Sequence, residues 1–439
     1  MPLWVNGFLF FTAWVVLGAL PGLAQESQWQ SLAGEASAMS RKISPEKMNY
    51  NLELGPVLLN VGAALTAGYN SNTGLTQSAA TGSGYATPSA NLSFLWPLTD
   101  LNTLNFSVGI GYSYYFDVPE TQSPGGFFVS PNSALQGTFY VGDFRFTPYD
   151  QFSLQNDPTQ AGELSNVSRF NIFQNSAGTK VDWDLADLVI TAGFDWFNLW
   201  SNQTSNQNLD RRTLTPSLSM TYYITKTLIT GLEGVAAITA YSQDQAQSVP
   251  DPNNPDQFTT VYGQNNNNIY QVGPFVNWQL SEYITITGRV GWVWGEFTGS
   301  NTPENAAGGN PSTWYLNLGW SHRLNEYLNY QLTASRSTQL SAIVGSNFVQ
   351  VWNFGAGLNW NIIDQLSLST PFSAQLGQVS GSVASQDYQQ YSAGITLGYR
   401  ITEKLGSSLN FMYILKDSNS SAYPGYQQWN AAAGFNYDF

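Results

Sequence analysis

The chain of 439 residues holds one histidine, His322, and no cysteine. That leaves little material for covalent or metal chemistry. A Ser–His–Asp relay or a multi-histidine zinc site is starved of histidine, and thiolate, disulfide and iron–sulfur chemistry has no residue to use. His322 itself stands two residues before a turn at Leu324, on the apolar phase of its segment, and reads as an interfacial side chain. Asp251 and Asp256 lie in a proline-rich stretch whose spacing is not that of a calcium loop, so a solvated loop is expected there. The Gly-x-Gly patterns at 109–111 and 355–357 fall inside alternating segments with no helix after them, which excludes a phosphate loop. The expectation is a protein that is not an enzyme, with no cofactor and no bound metal.

The charged residues that remain are more informative. Asp143, Arg145, Lys180, Asp182, Asp195, Glu233, Arg289, Arg323, Arg400 and Asp438 all share the small, polar phase of their segments. Counted from the nearest turns, Asp143, Asp195, Glu233 and Arg289 fall near mid-height. With Arg145 they are the candidate pore-lining residues. Asp143 and Arg145, two positions apart, are expected to brace one face as an ion pair.

The elements that carry these residues follow from composition and period. Lys and Arg number 15 against 29 Asp and Glu, a net charge of −14, so there is no basic surface for a nucleic acid. Charged residues make up 10% of the chain, where an ordinary soluble domain carries about 25%. Aromatics reach 15%, which excludes disorder. From residue 57 onward the apolar period is two. In residues 104–116, Leu104, Phe106, Val108, Ile110, Tyr112, Tyr114 and Phe116 share one phase, and Asn105, Ser107, Gly109, Gly111 and Ser113 the other. Residues 284–294 and 352–362 repeat the split. Strict alternation over ten or more residues is strand periodicity. Soluble strands peak at about 5–6 residues, whereas a tilted transmembrane strand needs about 9–11. The polar phase is Gly, Ser, Thr, Asn and Gln rather than Lys and Glu, which suits a water-filled lumen better than a soluble surface.

A repeated turn joins these segments: apolar, small polar, charged, any, apolar. It occurs at 98–101, 148–151, 185–188, 224–228, 280–284, 324–328, 363–366 and 401–405. The connections between successive tight turns are longer and rich in Gly, Asn, Pro and Ser; residues 241–266 and 298–311 are the longest of the later ones. Short turns alternating with long loops are the connectivity of a transmembrane barrel. The fold expected is all-β, an antiparallel up-and-down transmembrane barrel of about 18 strands, or 16 if the weakest segments, 57–70 and 151–156, are discarded. Strands are expected at 135–147 and 151–156 on either side of the turn at 148–151. Two aromatic belts are expected: Trp96, Tyr149, Trp183, Tyr222, Trp278, Tyr327, Trp360, Tyr399 and Tyr437 near the tight turns, and Tyr69, Tyr114, Trp200, Tyr241, Trp294, Trp314, Trp352 and Trp429 near the loops.

The chain divides into three parts. Residues 1–24 read as a signal peptide: an apolar run at 8–20, too short to span a bilayer, then a small-residue cleavage pattern ending at Ala24. Residues 25–50 form a polar periplasmic lead-in, and residues 51–439 the barrel. Trp429, Phe435, Tyr437 and Phe439 share the apolar phase of the last segment, and Phe439 ends the chain.

The repeated turn (Ile401-Thr402-Glu403-Lys404-Leu405 is one copy), the long amphipathic hairpins, the signal peptide and the terminal Phe439 resemble the bacterial outer-membrane β-barrel proteins of the porin type. The resemblance covers about residues 50–439. It implies location in a Gram-negative outer membrane, contact with lipid and lipopolysaccharide, and insertion by the barrel-assembly machinery, with Phe435, Tyr437 and Phe439 as its assembly signal. A homo-oligomer is one state open to such a protein. The function expected is passive diffusion of small hydrophilic solutes with a modest cation preference. The alternatives are a barrel for exopolysaccharide export, and a closed barrel whose loops bind a partner.

Export should remove residues 1–24 and leave Gln25 first. Mass spectrometry of the membrane form checks this, and an intact Met1 would turn the reading toward an N-terminal anchor helix.

Overall fold

A strand that is apolar on one side and polar on the other must place lipid against the first and water against the second. The computed structural model describes residues 50–439 apart from 119–123, 156–158, 160–161, 168–170, 203, 243–246, 252–253, 262–263, 299–309, 344–345 and 381–385. The signal peptide, nearly all of the lead-in and the loop acid Asp244 lie outside the described residues.

The first six wall strands are β1 (Val57–Asn70), β2 (Ser83–Pro97), β3 (Thr103–Tyr115), β4 (Gly125–Val141), β5 (Phe144–Gln155) and β6 (Ile172–Asp184). The next six are β7 (Leu188–Ser201), β8 (Arg211–Tyr223), β9 (Leu228–Tyr241), β10 (Asn266–Gln279), β11 (Ile284–Thr298) and β12 (Ser312–Arg323). The last six are β13 (Leu328–Leu340), β14 (Phe348–Ile363), β15 (Leu366–Ser380), β16 (Gln386–Arg400), β17 (Leu405–Ser418) and β18 (Tyr426–Asp438). Each pairs antiparallel with its neighbours in sequence, and β18 pairs back onto β1, from Asp438 opposite Gly62 to Asn430 opposite Asn70. The wall is thus a closed barrel of eighteen strands, with the short strand Leu52–Leu54 paired antiparallel against the start of β1. A hairpin of Gln247–Asp251 with Asn254–Val261 forms a separate small sheet in the loop after β9. Eighteen strands about 4.8 Å apart and tilted about 40° enclose a ring roughly 36 Å across between backbones.

The small polar residue of the turn motif has a definite task. Its side-chain oxygen accepts the amide of the residue that opens the next strand. Thr225 Oγ1 takes Leu228 N at 2.9 Å, Thr402 Oγ1 takes Leu405 N at 3.0 Å, and Asn325 Oδ1 takes Leu328 N at 2.8 Å. A residue without that oxygen leaves the reversal's donor to water.

One turn departs from expectation. Pro148–Gln151 lies inside β5, and the reversal comes earlier, at Gly142–Asp143, with Val141 opposite Phe144. Gly142 has φ of 60°, which suits the first central position of a two-residue hairpin turn. Pro148 is tolerated because the ladder with β4 skips it, so its missing N–H costs no bond there. The strands expected at 135–147 and 151–156 are therefore Gly125–Val141 and Phe144–Gln155. The change carries Asp150 out of the expected turn and onto the outer face, where Asn175 Nδ2 donates to its Oδ1 at 2.5 Å.

Around most of the wall the outer face is a band of exposed apolar side chains such as Leu65, Ile110, Leu232, Ile395 and Leu409. Rows of exposed aromatics bound it: Trp96, Trp183, Tyr222, Trp278, Tyr327, Trp360, Tyr399 and Tyr437 on the turn side, and Tyr69, Tyr114, Trp200, Trp294, Trp314 and Trp429 on the loop side. An apolar belt between aromatic girdles on a closed antiparallel barrel is the form of an outer-membrane protein. Two expected girdle members point inward instead. Tyr149 bonds Asp195, and Tyr241 is buried against Arg211.

The last residue completes the ring. Phe439 N donates to Val61 O at 3.1 Å, and its ring meets Tyr437 edge-on at 5.2 Å. Deleting Phe439 should lower the yield of heat-modifiable, folded barrel while synthesis is unchanged. Normal amounts of folded barrel on semi-native gels would contradict this.

Candidate functional site

Glycines in the polar phase make room for inward aromatic rings. A Cβ on Gly291 would stand 2.4 Å from Tyr315 Cε1, and one on Gly273 would stand 2.5 Å from the Tyr315 hydroxyl. The Tyr315 ring therefore lies along the wall over two neighbouring strands, as Phe275 does over Gly231. A side chain at these glycines would push the rings into the lumen.

A polar row runs across this inner wall. Arg145 of β5 meets Asp182 of β6, with Nη2 and Oδ2 2.6 Å apart and both side chains largely buried. Asp182 also accepts from Thr191 Oγ1 of β7 at 2.6 Å. In register, the row continues through Ser219 of β8 to Glu233 of β9. Four residues along β7 from Thr191, Asp195 accepts from Tyr149 at 2.8 Å and from Ser176. Lys180 stands over the Tyr149 ring at 5.5 Å. Glu233, Gln271 and Arg289 surround the Tyr315 hydroxyl.

Of the five pore-lining candidates, Arg145, Asp195, Glu233 and Arg289 stand on inward positions of alternate strands, β5, β7, β9 and β11. Asp143 does not. It sits exposed in the Gly142–Asp143 turn, and the ion pair of Arg145 is with Asp182 across the ladder. The reason is that the chain reverses at Gly142–Asp143 and not at 148–151, which puts Asp143 in the turn. Between β5 and β11 the inner wall sets Asp182, Asp195 and Glu233 against Arg145, Lys180, Arg211 and Arg289, so the acids do not outnumber the bases there. His322 faces outward near the turn side, with Nδ1 3.0 Å from the Tyr330 hydroxyl. Among the described residues no group of three His, Asp or Glu side chains gathers to hold a metal ion.

The feature that sequence reading missed lies at the loop end. Residues 162–166, between β5 and β6, lie in the lumen against the far side of the ring. Sixteen residues extend to about 53 Å, so an out-and-back path reaches about 26 Å, most of the way across. Gly162 presses on β15 and β16: its Cβ would stand 1.9 Å from Gln375 Oε1 and 2.6 Å from Gln390 Oε1. Glu163 Oε1 accepts Ala342 N at 3.0 Å, Ser165 Oγ donates to Pro424 O at 2.6 Å, and Asn166 N donates to Leu75 O at 3.1 Å. Four loops thus meet inside the barrel. Leu164, Ala342 and Ile343 from two of them, with Leu209 from the loop after β7, join Phe197, Leu199 and Val351 of the wall in one buried apolar cluster. Burial, and then the Glu163 carboxylate, raises the Tyr423 hydroxyl above its ordinary value, since that loop too is covered. The trace in the sequence is slight: single leucines, Leu75, Leu164 and Leu209, and the short apolar run Ala342-Ile343-Val344 in the connections between strands.

No protein-family model and no curated protein matches the chain. Solved structures of related shape include OpdK of Pseudomonas aeruginosa with vanillate, at 9% identity and a TM-score of 0.47, covering 87% of this chain and 99% of that one. A BenF-like porin of Pseudomonas fluorescens Pf-5 aligns at 11% identity and a TM-score of 0.49, covering 88% and 100%. OccAB3 of Acinetobacter baumannii aligns at 11% identity and a TM-score of 0.46, covering 87% and 99%.

Replacing Asp182 by Ala removes both the partner of Arg145 and the acceptor of Thr191. The folded barrel should lose about 2 kcal/mol, less than a dry-core pair because lumen water can reach Arg145. The temperature at which the folded band converts on gels should fall, and Asp182→Asn should fall less.

Proposed function

We propose that the protein is an outer-membrane channel for passive diffusion of small hydrophilic solutes. The observation that carries this reading is the closed eighteen-strand wall, apolar outside and lined inside with hydrogen-bonded polar and charged side chains. An apolar solute would find no match for that lining, whereas a hydrated one exchanges water for similar groups. The inward loops narrow the loop-side end, which argues against a conduit for a bulky polymer. A second reading, a closed barrel whose loops bind a partner, draws support from the buried apolar cluster at the same end. Conductance across a planar bilayer separates the two.

Selectivity is expected to be modest and cationic. The candidate set without Asp143 is Arg145, Asp195, Glu233 and Arg289, in balance within itself. The preference therefore rests on the field of the whole chain, with its net charge of −14. Phe435, Tyr437 and Phe439 are proposed as the segment read by the barrel-assembly machinery.

In dilute salt the reversal potential should show cation preference, fading as screening shortens to about 3 Å at 1 M. Changing Asp195 to Asn together with Glu233 to Gln should reduce it. Anion preference in dilute salt would sink the selectivity claim, and a silent bilayer would sink the channel.

A further inference from the structure

The lumen-crossing segment is held by one cation. Lys416 stands on the inner face of β17 and is 2% exposed. An ammonium has three donors. Here Nζ lies 2.9 Å from Glu163 O, 2.9 Å from Leu164 O and 2.8 Å from Ser165 Oγ. All three acceptors belong to the segment that arrives from β5. The rings of Tyr388 and Tyr426 flank the ammonium at 5.6 and 5.9 Å and close it off from the lumen. Beside it Gln386 Nε2 donates to the same Glu163 carbonyl at 3.2 Å. A buried cation whose bonds all run to one foreign segment does not brace its own strand. It ties that segment to the wall.

We propose that Lys416 is the positioning residue that fixes the Gly162–Ser165 turn across the lumen, and that this tie sets the size of solute the barrel admits. The size role rests on the channel reading above; the tie itself does not. Two independent features support it. Gly162 lies directly against the amide ends of Gln375 and Gln390, which would have to move aside for any side chain there, so the turn is seated on the far wall rather than hanging free. The segment is also the point where the loops bearing Leu75, Ala342 and Pro424 meet, so releasing it loosens the whole inward cap.

Lys416→Met keeps length and removes all three donors, while Lys416→Arg keeps a cationic donor. The chain has no cysteine, so a single Thr159→Cys reports the position of the segment through its rate of maleimide labelling in the folded barrel. In the Lys416→Met background labelling should rise about tenfold, as expected for a segment that opens locally, and Lys416→Arg should stay near the parent. Single-channel conductance should rise about twofold in Lys416→Met, and larger sugars should enter in liposome swelling. If Lys416→Met does not give a heat-modifiable barrel, Gly162→Val unseats the turn with Lys416 intact, and should raise labelling and conductance in the same way. Unchanged labelling in either folded variant overturns the tie, whatever the conductance. Faster labelling with unchanged conductance and cut-off overturns the size role. Faster labelling with no conductance in any form, parent included, removes the channel reading and leaves the tie standing.

Discussion

Lipid offers no hydrogen bonds, so every backbone N–H and C=O at membrane depth must be met by the chain itself. This constraint organises the rest. It is why the sheet has no free edge and why β18 returns to β1 with Asp438 opposite Gly62. It is why Phe439 bonds the backbone of Val61, and why Pro148 is found where the ladder already skips a rung. The repeated turn serves the same demand at the rim, where a threonine or asparagine oxygen meets the amide that the reversal exposes.

Closing the sheet divides its two faces into two solvents. The outside needs only to be apolar and of the right height. The inside is less uniform. Each wide aromatic ring on one strand needs a small neighbour on the next, as Tyr315 needs Gly273 and Gly291. Buried charges need partners across the ladder, as Arg145 needs Asp182. Small residues in the polar phase thus do two jobs, wetting the lumen in places and admitting rings in others. An eighteen-strand ring is too wide to be filled from its own wall, and loops fold into it instead. Their contacts resemble a small soluble core at the loop-side end, with apolar side chains and one buried ammonium together.

The strands, their phase and most of the turns are legible in the sequence because each is a local pattern. Period two over a dozen residues sets a face, and the turn motif is five residues long. The exceptions around β5 have one cause. Pro148 and Asp150 look like turn residues, and a strand containing both reads as two short ones. With the reversal at Gly142–Asp143, Asp143 leaves the lumen for the turn and Tyr149 leaves the girdle for the lumen. Tyr241 is close to a loop, as a girdle residue would be, but its phase is the inward one. Of the site, Asp195, Glu233 and Arg289 could be assigned an inward side by phase, but not their partners. The partner of Arg145 lies on the next strand, at a sequence distance set by the register.

Sequence alone determined what repeats: closed-barrel connectivity, an outward apolar face and the even strand number that leaves both ends on the turn side. These follow from side-chain period and turn chemistry, which act over a few residues. Tertiary structure alone decided what meets across the ring. Lys416 and Glu163 are 253 positions apart, and no periodicity links them. Their contact exists because the ring's curvature brings β17 opposite the loop after β5, and because a buried ammonium must find acceptors wherever the fold supplies them. The width of the passage is a property of that meeting, and it is written in no single segment of the chain.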